Sequence, residues 1–295
     1  MLAASINPSD LLTIRGTYSR TGFPFRPGFE GVGEVVDADP DGAVRPGQRV
    51  IALRSAGAWS SVRDVAVGDC VIVPPDISDM QATTAFINPL TALTGIDRLA
   101  LDGRPVVITA ASSAIADHFA ALLCSRGNPV IGLIRSRSSR VRRPSLWGAL
   151  VCSDDVGWER QLALSAGGAR YVLDAVGGEI AGRVARAVST GSTHVVSYGL
   201  LSGQMIDPSG LPQGIEVSNL HLRGVVHDAS RSEVLRLFAR SFEGIRAGVI
   251  ATDIAAVYPL TDIGRALAWN AANSGKVLLR AGGEAAGDES SSTWF

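Results

Sequence analysis

A run of small residues in the middle of the chain has the composition of a phosphate-binding turn. Residues 110–116 follow the apolar segment 106–109, which is typical of a strand, and precede a helical segment at 117–126. Small side chains let backbone N–H groups and a helix N-terminus approach a pyrophosphate closely. The hydroxyls of Ser112 and Ser113 could donate to its oxygens. The strict fingerprint GxGxxG is absent, so a turn that only packs a helix on a strand is the alternative.

A basic segment follows the next apolar run. Residues 129–134 are typical of a strand, and Arg135 and Arg137 follow with serines between and after them. At this position of a dinucleotide-binding fold, an acid binds the ribose 2′-OH, whereas arginine accommodates a 2′-phosphate. A guanidinium can bind a phosphate with two parallel hydrogen bonds. The segment therefore predicts a preference for a phosphorylated dinucleotide. A solvated basic loop that continues to Arg142 and Arg143 is the alternative.

These two motifs need a parallel sheet to bring them together. A strand, a small-residue turn, a helix and a strand within about 30 residues form a βαβ unit. Further strands are predicted at residues 171–175, 193–197 and 220–226, and helices at 89–99, 180–188 and 232–247. The carboxyl ends of parallel strands meet at one edge of the sheet, so we expect the turn and the basic segment there. The pattern predicts a doubly wound, Rossmann-type dinucleotide-binding domain over residues 87–249.

The flanking regions have a different pattern. Before residue 80, Gly and Pro separate short apolar runs such as 32–36, 49–53 and 70–73, which is typical of antiparallel strands joined by tight turns. Two later strands, at 254–258 and 276–280, and a helix at 261–272 return to this region. We therefore predict an α/β protein whose second domain, residues 1–86 and 250–295, is barrel-like and mostly antiparallel.

Composition argues against several other classes of protein. The 295 residues include 27 Lys and Arg against 28 Asp and Glu, a formal net charge of −1, so there is no electrostatic footprint for nucleic acid or an anionic membrane. The apolar stretches are broken by Pro, Gly and polar residues and do not predict membrane spans. The three cysteines and four histidines lack metal-ligand spacing, which argues against a metal site and for reduced thiols in the cytoplasm. Lys276 is the only lysine.

Several linked motifs resemble those of a known family. They are Ile6-Asn-Pro-Ser-Asp-Leu-Leu-Thr-Ile-Arg-Gly-Thr-Tyr18, Pro27-Gly-Phe-Glu-Gly-Val-Gly33, Gly57-Ala-Trp59, Asn88-Pro-Leu-Thr-Ala92, Asp174-Ala-Val-Gly-Gly178, Ser197-Tyr-Gly199, Leu222-Arg-Gly224 and Ser274-Gly-Lys276. Over nearly the whole chain, their order and approximate spacing resemble the zinc-independent medium-chain dehydrogenase/reductases, in the quinone oxidoreductase and 2-enoyl thioester reductase branch. That family has further β structure before the segment at which this chain starts, so the resemblance implies a GroES-like β domain without its first strands.

The resemblance implies roles for particular residues. Tyr18 matches a tyrosine that acts beside the nicotinamide in mitochondrial-type enoyl reductases, and a phenol with a pKa of about 10 is a proton donor at neutral pH. Trp59 would line the substrate pocket, or would be a core aromatic residue. Phe29 replaces the histidine of the zinc-dependent branch, which argues against a catalytic zinc. The residues implied to bind the cofactor are Asn88, Thr91, Ser112, Ser113, Ala114, Ile115, Arg135, Arg137, Tyr198, Gly199 and Lys276.

Several of these roles have a structural alternative. Tyr18 could be a turn tyrosine that packs on the barrel, and Asn88 before a proline could cap a helix. Lys276 could lie at a solvated strand end. Asp10 and Glu30 are interpreted as structural residues, with no partner evident from the sequence.

The predicted function is NADPH-dependent reduction of an activated C=C bond, with a 2-enoyl thioester of coenzyme A or of an acyl carrier protein as the first choice. Quinone reduction on the same scaffold is the nearest alternative. A cofactor-binding, non-catalytic protein is the third alternative. The short N-terminus favours it. The carboxylate of Asp117 would compete with a phosphate near the helix N-terminus, which argues against full activity. The apolar segment 220–226 predicts a strand late in the sheet, where the resembling family pairs sheet edges across a twofold axis. The resemblance therefore implies a homodimer, which would protect this apolar edge.

Overall fold

The chain folds into two compact units, each built on a six-stranded sheet. The structure is a computed structural model and describes residues 1–16, 22–40, 42–189, 191–273 and 275–282. The first unit comprises Met1–Phe86 and Thr252–Phe295, and the second comprises Ile87–Ala251. Tyr18 and Ser274 lie outside the described residues. No helix within the described ranges combines the length and the hydropathy that crossing a membrane requires.

Most strands and helices are short, and serine side chains cap several of the helices. In chain order the strands are β1 (Ala3–Ser5), β2 (Gly31–Glu34), β3 (Arg49–Ala52), β4 (Cys70–Ile72), β5 (Val106–Ile108), β6 (Val130–Ile134), β7 (Ala149–Cys152), β8 (Tyr171–Asp174), β9 (Thr193–Ser197), β10 (Ile215–Asn219), β11 (Ile254–Pro259) and β12 (Lys276–Arg280). The helices are α1 (Pro8–Ile14), α2 (Asp79–Thr83), α3 (Ile87–Asp97), α4 (Ala114–Cys124), α5 (Trp158–Ala166), α6 (Gly178–Val188), α7 (Leu222–Asp228), α8 (Arg231–Arg246) and α9 (Ile263–Ala272). Serine side chains cap α2, α4 and α8 by accepting a backbone N–H of the first turn.

The sheet of the first unit is mostly antiparallel, as predicted. Its order is β11-β12-β1-β2-β3-β4, and only β11 and β12 run parallel. Strand β1 is central because Ala4 pairs with Gly31 of β2 on one side and with Leu279 of β12 on the other. One face buries an apolar cluster of Ala4, Ile6, Ala58, Trp59, Ala266, Val277 and Leu279.

The sheet of the second unit is entirely parallel, which confirms the predicted Rossmann-type fold. Its order is β10-β9-β8-β5-β6-β7. The chain builds outward from β5 through β6 to β7, then returns to place β8 on the other side of β5. The order therefore reverses between β5 and β8, and ligands of doubly wound sheets bind at the carboxyl ends of the strands that flank such a switch point.

The predicted strand at 220–226 is wrong. The edge strand is β10, which ends at Asn219, and the helix α7 follows it. The apolar residues Leu222, Val225 and Val226 recur at the i, i+3, i+4 spacing of a helix, which their high β propensity masked. Strand β7 was not predicted, because its four residues lie between polar segments and show no alternation of apolar and polar side chains.

Helix α4 packs closely on α3 through a glycine. A Cβ on Gly95 would lie 2.8 Å from Cε1 of Phe119, whose ring is completely buried. That contact needs a residue without a side chain, since real Cβ atoms essentially never approach so closely. The resulting packing fixes the position of α4, whose first turn faces the switch point of the sheet.

Candidate functional site

The small-residue turn joins β5 to α4 in a defined conformation. Ala110 adopts a left-handed backbone with φ of 50°, which is uncommon for a residue other than glycine. Two hydrogen bonds hold this turn: the Ala111 N–H donates to the Leu133 carbonyl, and the Ser113 N–H donates to the Ala110 carbonyl, both at 2.9 Å. The Ser113 Oγ accepts the Ala116 N–H at 3.3 Å. These hydrogen bonds therefore set the backbone of the turn.

Free donors remain at the start of α4. Ala114 and Ile115 are its first residues, so their N–H groups have no carbonyl one turn earlier to accept them. The hydroxyl of Ser112 is partly exposed and has no hydrogen-bond partner within the described ranges. N–H groups at a helix N-terminus, together with a hydroxyl, suit an anion. The structure therefore brings Ser112, Ala114 and Ile115 together as donors, while Ser113 is mainly a cap.

The predicted basic segment divides into arginines with different partners. Arg135 is exposed, and its guanidinium has no partner in the described part of the chain. Arg137 binds the carboxylate of Asp155 through Nε at 3.0 Å and Nη2 at 2.8 Å. The serines between and after them form a compact turn, in which the Ser139 N–H donates to the Ser136 carbonyl at 2.9 Å.

Arg142 and Arg143 are structural residues. Asp117, in the first turn of α4, has a buried carboxylate that accepts from Arg143 Nε at 3.0 Å and from Arg142 Nη1 at 3.2 Å. The same guanidiniums also donate to the carbonyls of Gly248 and Ala251. Two guanidiniums around one carboxylate leave a positive excess, so the predicted competition of Asp117 with a phosphate is offset. The part of the basic segment that could bind a ligand ends before Arg142.

A buried carboxylate organises the switch point. Asp174, the last residue of β8, accepts the hydroxyl of Thr109 at 2.8 Å and the N–H groups of Val176 and Gly177 at 3.1 and 2.9 Å. The Thr109 hydroxyl in turn accepts the Ala175 N–H at 2.9 Å. Burial raises the pKa of the Asp174 carboxyl, although these hydrogen bonds oppose the shift. Asp174 thus holds the loop after β8 against the turn that follows β5, and sequence reasoning had not assigned it a role.

Tyr198 and Gly199 follow β9 at the same edge. The ring of Tyr198 packs on Phe119 of α4, with 4.9 Å between the ring centroids. Its hydroxyl oxygen is buried without a partner among the residues described, and burial raises the pKa of this phenol. A Cβ on Gly199 would lie 2.7 Å from the Ala175 carbonyl oxygen, so this position requires glycine.

Asn88 and Thr91 lie in the first turns of α3. The helix begins at Ile87, so Asn88 lies inside it and is not the cap that the structural alternative required. The Thr91 hydroxyl donates to the Ile87 carbonyl at 2.6 Å. Thr91 is buried and Asn88 is partly exposed.

The first unit contains a separate buried polar cluster. Lys276 is 6% exposed, and its Nζ donates to Oδ1 of Asn7 and lies 3.9 Å from Oε2 of Glu30. Glu30 also accepts from Ser5 at 2.6 Å, and Asp10 accepts the Asn7 N–H at 2.8 Å. Lys276 is therefore not at a solvated strand end, and Asp10 and Glu30 have the partners that the sequence did not reveal.

Burial shifts the pKa values of this cluster. It raises the pKa of Asp10 to about 6, against hydrogen bonds from the N–H groups of Asn7 and Phe29. It lowers the pKa of Lys276, against the charges of Glu30 and Asp10.

Trp59 is buried in the first unit, since it is 8% exposed and its Nε1 donates to the Ser5 carbonyl at 3.0 Å. This placement favours the alternative of a core aromatic residue.

The carboxyl edge of the second unit's sheet therefore combines unpartnered N–H groups, a free hydroxyl and a free guanidinium. These donors suit the phosphates of a dinucleotide. Among the described residues, no group of three or more His, Cys, Asp or Glu side chains could hold a metal ion. The chemistry of this edge is that of binding an anionic organic group.

Comparisons with known proteins agree with this architecture. The alcohol dehydrogenase GroES-like domain matches residues 1–88. The mitochondrial enoyl-[acyl-carrier-protein] reductase of Xenopus tropicalis is 29% identical, in an alignment 297 positions long that covers 90% of this chain and 81% of that protein. A candidate NADPH:quinone reductase from Bacillus thuringiensis has a TM-score of 0.84 and 26% identity, and the match covers 95% of this chain and 88% of that one.

A second solved structure shares the fold. The Escherichia coli quinone oxidoreductase complexed with NADPH has a TM-score of 0.81 at 22% identity, covering 95% of this chain and 89% of that one. The motifs of the sequence, the two sheets and these relatives all lead to one family. The chain is an oxidoreductase similar to the zinc-independent medium-chain dehydrogenase/reductases, in the branch of enoyl reductases and quinone oxidoreductases.

Proposed function

We propose that this chain is an NADPH-dependent reductase of an activated C=C bond, with a 2-enoyl thioester as its substrate. The observation that carries the proposal is the set of donors at the carboxyl edge of the parallel sheet, including Arg135 after β6, which have no partner among the residues that the structure describes. The choice of substrate is supported by the curated relatives named as enoyl-[acyl-carrier-protein] reductases, which match up to 90% of this chain.

The residues at this edge fit NADPH. The N–H groups of Ala114 and Ile115 and the hydroxyl of Ser112 would hold the pyrophosphate, and Arg135 and Arg137 the 2′-phosphate. The buried, unpartnered hydroxyl of Tyr198 is a further donor at this edge. Asn88, Thr91 and Gly199 keep the cofactor-binding roles implied by the family resemblance. Lys276 was assigned the same role, but its buried Nζ donates to Asn7 in the first unit, which favours a structural role.

The reduction adds a hydride to the β-carbon of the enoyl thioester and a proton to its α-carbon. NADPH supplies the hydride when it is bound. Negative charge then develops on the thioester oxygen, and a hydroxyl donor placed there lowers the barrier. We assign the proton donor or enolate-stabilising role to Tyr18, because an ordinary phenol carries a proton at neutral pH that it can donate. The product is the saturated thioester.

Cofactor choice is tested by titration of NADPH and NADH, followed by fluorescence. Replacing Arg135 with Ala should weaken NADPH binding by about 1.5–3 kcal/mol, the value of a hydrogen bond to a charged group, and leave NADH nearly unchanged. The exposed Arg104 provides a matched control, because it precedes β5 and Arg104→Ala therefore removes the same charge at the opposite, amino end of the parallel strands. Equal weakening of both cofactors by Arg135→Ala would contradict the assignment.

Substrate choice is tested by the Tyr18→Phe variant, which removes only the hydroxyl. Its kcat on an enoyl thioester should fall by at least ~100-fold, the lower limit for a general acid, while NADPH affinity stays within a few-fold. Tyr258→Phe, in β11, is the matched control and should retain the rate of the unmodified protein. A Tyr18→Phe variant with that rate would remove the main support for the enoyl assignment.

Quinone reduction is the second candidate, because the structural neighbour from Bacillus thuringiensis is a candidate quinone reductase. A quinone needs no carbon protonation by a positioned acid, so quinone activity should survive Tyr18→Phe. A screen of NADPH oxidation over enoyl thioesters and quinones separates the two candidates. A protein that binds NADPH but reduces neither class would be a non-catalytic member of the family.

The proposal includes an assembly and a location. Strand β10 is an edge strand with one unpaired side in the sheet, and pairing with a second copy would protect this edge. Light scattering at micromolar concentration should therefore give the mass of a homodimer, and a monomer mass would contradict this expectation.

The cytoplasmic location stays a prediction, since the curated relatives are named as mitochondrial proteins. Fractionation of cells that express the full gene would test it.

A further inference from the structure

The carboxylate of Asp155 has a defined place at the dinucleotide edge. It follows β7, while Arg137 follows the neighbouring strand β6, and the two strands are parallel with Ile134 paired to Cys152. Both side chains therefore project from the same edge of the sheet. Their contact is bidentate, with Nε to Oδ1 at 3.0 Å and Nη2 to Oδ2 at 2.8 Å.

This contact uses one edge of the guanidinium and leaves the other free. Nε and one hydrogen of Nη2 point to Asp155, so both hydrogens of Nη1 and the second hydrogen of Nη2 remain available. Arg137 has no other partner in the described ranges, and its side chain is 81% exposed. A guanidinium can therefore bind Asp155 on one edge and a second anion on the other.

The backbone that carries Asp155 is itself anchored to the basic segment. The Ser153 N–H donates to the Ile134 carbonyl at 2.9 Å, and the Asp154 N–H donates to the Arg135 carbonyl at 3.2 Å. Asp155 closes the turn by donating its own N–H to the Cys152 carbonyl at 3.1 Å. The carboxylate is thus held on a fixed support, in contrast to the long and exposed side chain of Arg137.

An exposed ion pair of this kind contributes little to folding stability. Its larger effect is on conformational freedom, because a free arginine must give up many rotamers when it binds a ligand. A carboxylate that holds the guanidinium beforehand removes part of that cost. Arg135, which has no such partner, would still have to be ordered by the ligand.

We propose that Asp155 is a positioning residue for cofactor specificity, which holds Arg137 so that its free guanidinium edge faces the 2′-phosphate of the dinucleotide. The inference rests on the proposed function, since it assumes that the ligand is NADPH. It predicts that a carboxylate, although it repels the phosphate, increases the preference for the phosphorylated cofactor. Its neighbour Asp154 carries the same charge but does not contact Arg137, so the two residues should behave differently.

The test compares Asp155→Asn with Asp154→Asn by titration of NADPH and NADH, read by nicotinamide fluorescence at constant ionic strength. Asp154→Asn removes the same charge from the same turn, at an exposed position. It should leave NADPH affinity unchanged or up to about twofold tighter, since it relieves weak repulsion. Asp155→Asn should instead weaken NADPH binding by about threefold to tenfold, the range for ordering one long side chain, and leave NADH unchanged.

A second comparison isolates the pair. In an Arg137→Ala background, Asp155→Asn should change NADPH affinity no more than Asp154→Asn does, because the guanidinium that it positions is absent. NADPH binding by Asp155→Asn that equals that of Asp154→Asn would overturn the inference and leave the proposed function intact. An unmodified protein that binds NADPH no better than NADH would overturn the proposed cofactor, and the inference with it.

Discussion

Replacing Asp174 with asparagine should destabilise the second unit, because several donors converge on its carboxylate. Oδ1 accepts from the Thr109 hydroxyl and the Val176 N–H, while Oδ2 accepts from the Gly177 N–H. An asparagine has one acceptor oxygen. If that oxygen keeps the two contacts of Oδ1, the amide nitrogen faces the Gly177 N–H and leaves this buried donor unpaired.

The cost follows from these contacts. A buried N–H without a partner costs about 1–3 kcal/mol, and the two remaining hydrogen bonds lose their charged acceptor. The raised pKa of Asp174 shows that burial already penalises its charge, and the substitution removes this penalty. The net loss in the free energy of unfolding should be about 2 kcal/mol at pH 7.

Urea unfolding followed by circular dichroism measures this loss. Asp154→Asn is the matched control, since it makes the same change at an exposed residue of the same unit. Dinucleotide affinity should fall as well, because the loop after β8 is held at the switch point by Asp174. A difference between the two variants of less than about 0.5 kcal/mol would refute the assignment of Asp174 as the organising residue.

Three further predictions concern other buried groups. Asp117→Asn should lower the free energy of unfolding by about 2–4 kcal/mol in urea, near the cost of breaking a buried ion pair, and a loss below about 1 kcal/mol would contradict this. The carboxyl of Asp10 keeps its proton to a pH of about 6 in the folded chain, against an ordinary value of 3.8. The stability of the protein relative to an Asp10→Asn variant should therefore fall by up to about 3 kcal/mol as pH rises from about 4 to 6, and a constant difference would argue against it. Gly199→Ala should lower the melting temperature, because its Cβ would lie 2.7 Å from the Ala175 carbonyl oxygen. Gly264→Ala in α9, where nothing lies within 4 Å, should raise it slightly.

Local patterns in the sequence predicted the parts of the fold that depend on neighbouring residues. The buried run of β6, the small-residue turn before α4 and the basic segment that begins at Arg135 were all identified. The spacing of apolar residues and the composition of these segments indicate which side chains are buried and which backbone conformation is adopted, because adjacent residues largely determine both. Strand β7 was missed, and so were the edge strand β10 and helix α7, where β-branched residues at a helical spacing were interpreted as a strand.

Only the tertiary structure decided which charges are partnered. The arginines of one basic segment look alike in the sequence, yet Arg137 binds Asp155, Arg142 and Arg143 bind Asp117, and Arg135 has no partner among the described residues. Lys276 and Asn7 are 269 positions apart and share one buried cluster. Sequence patterns show that a side chain is polar or apolar, but not which distant group folding brings within a few ångströms. Because the strength of a charge interaction depends on that distance and on burial, the fold decided which of these residues remain available to a ligand.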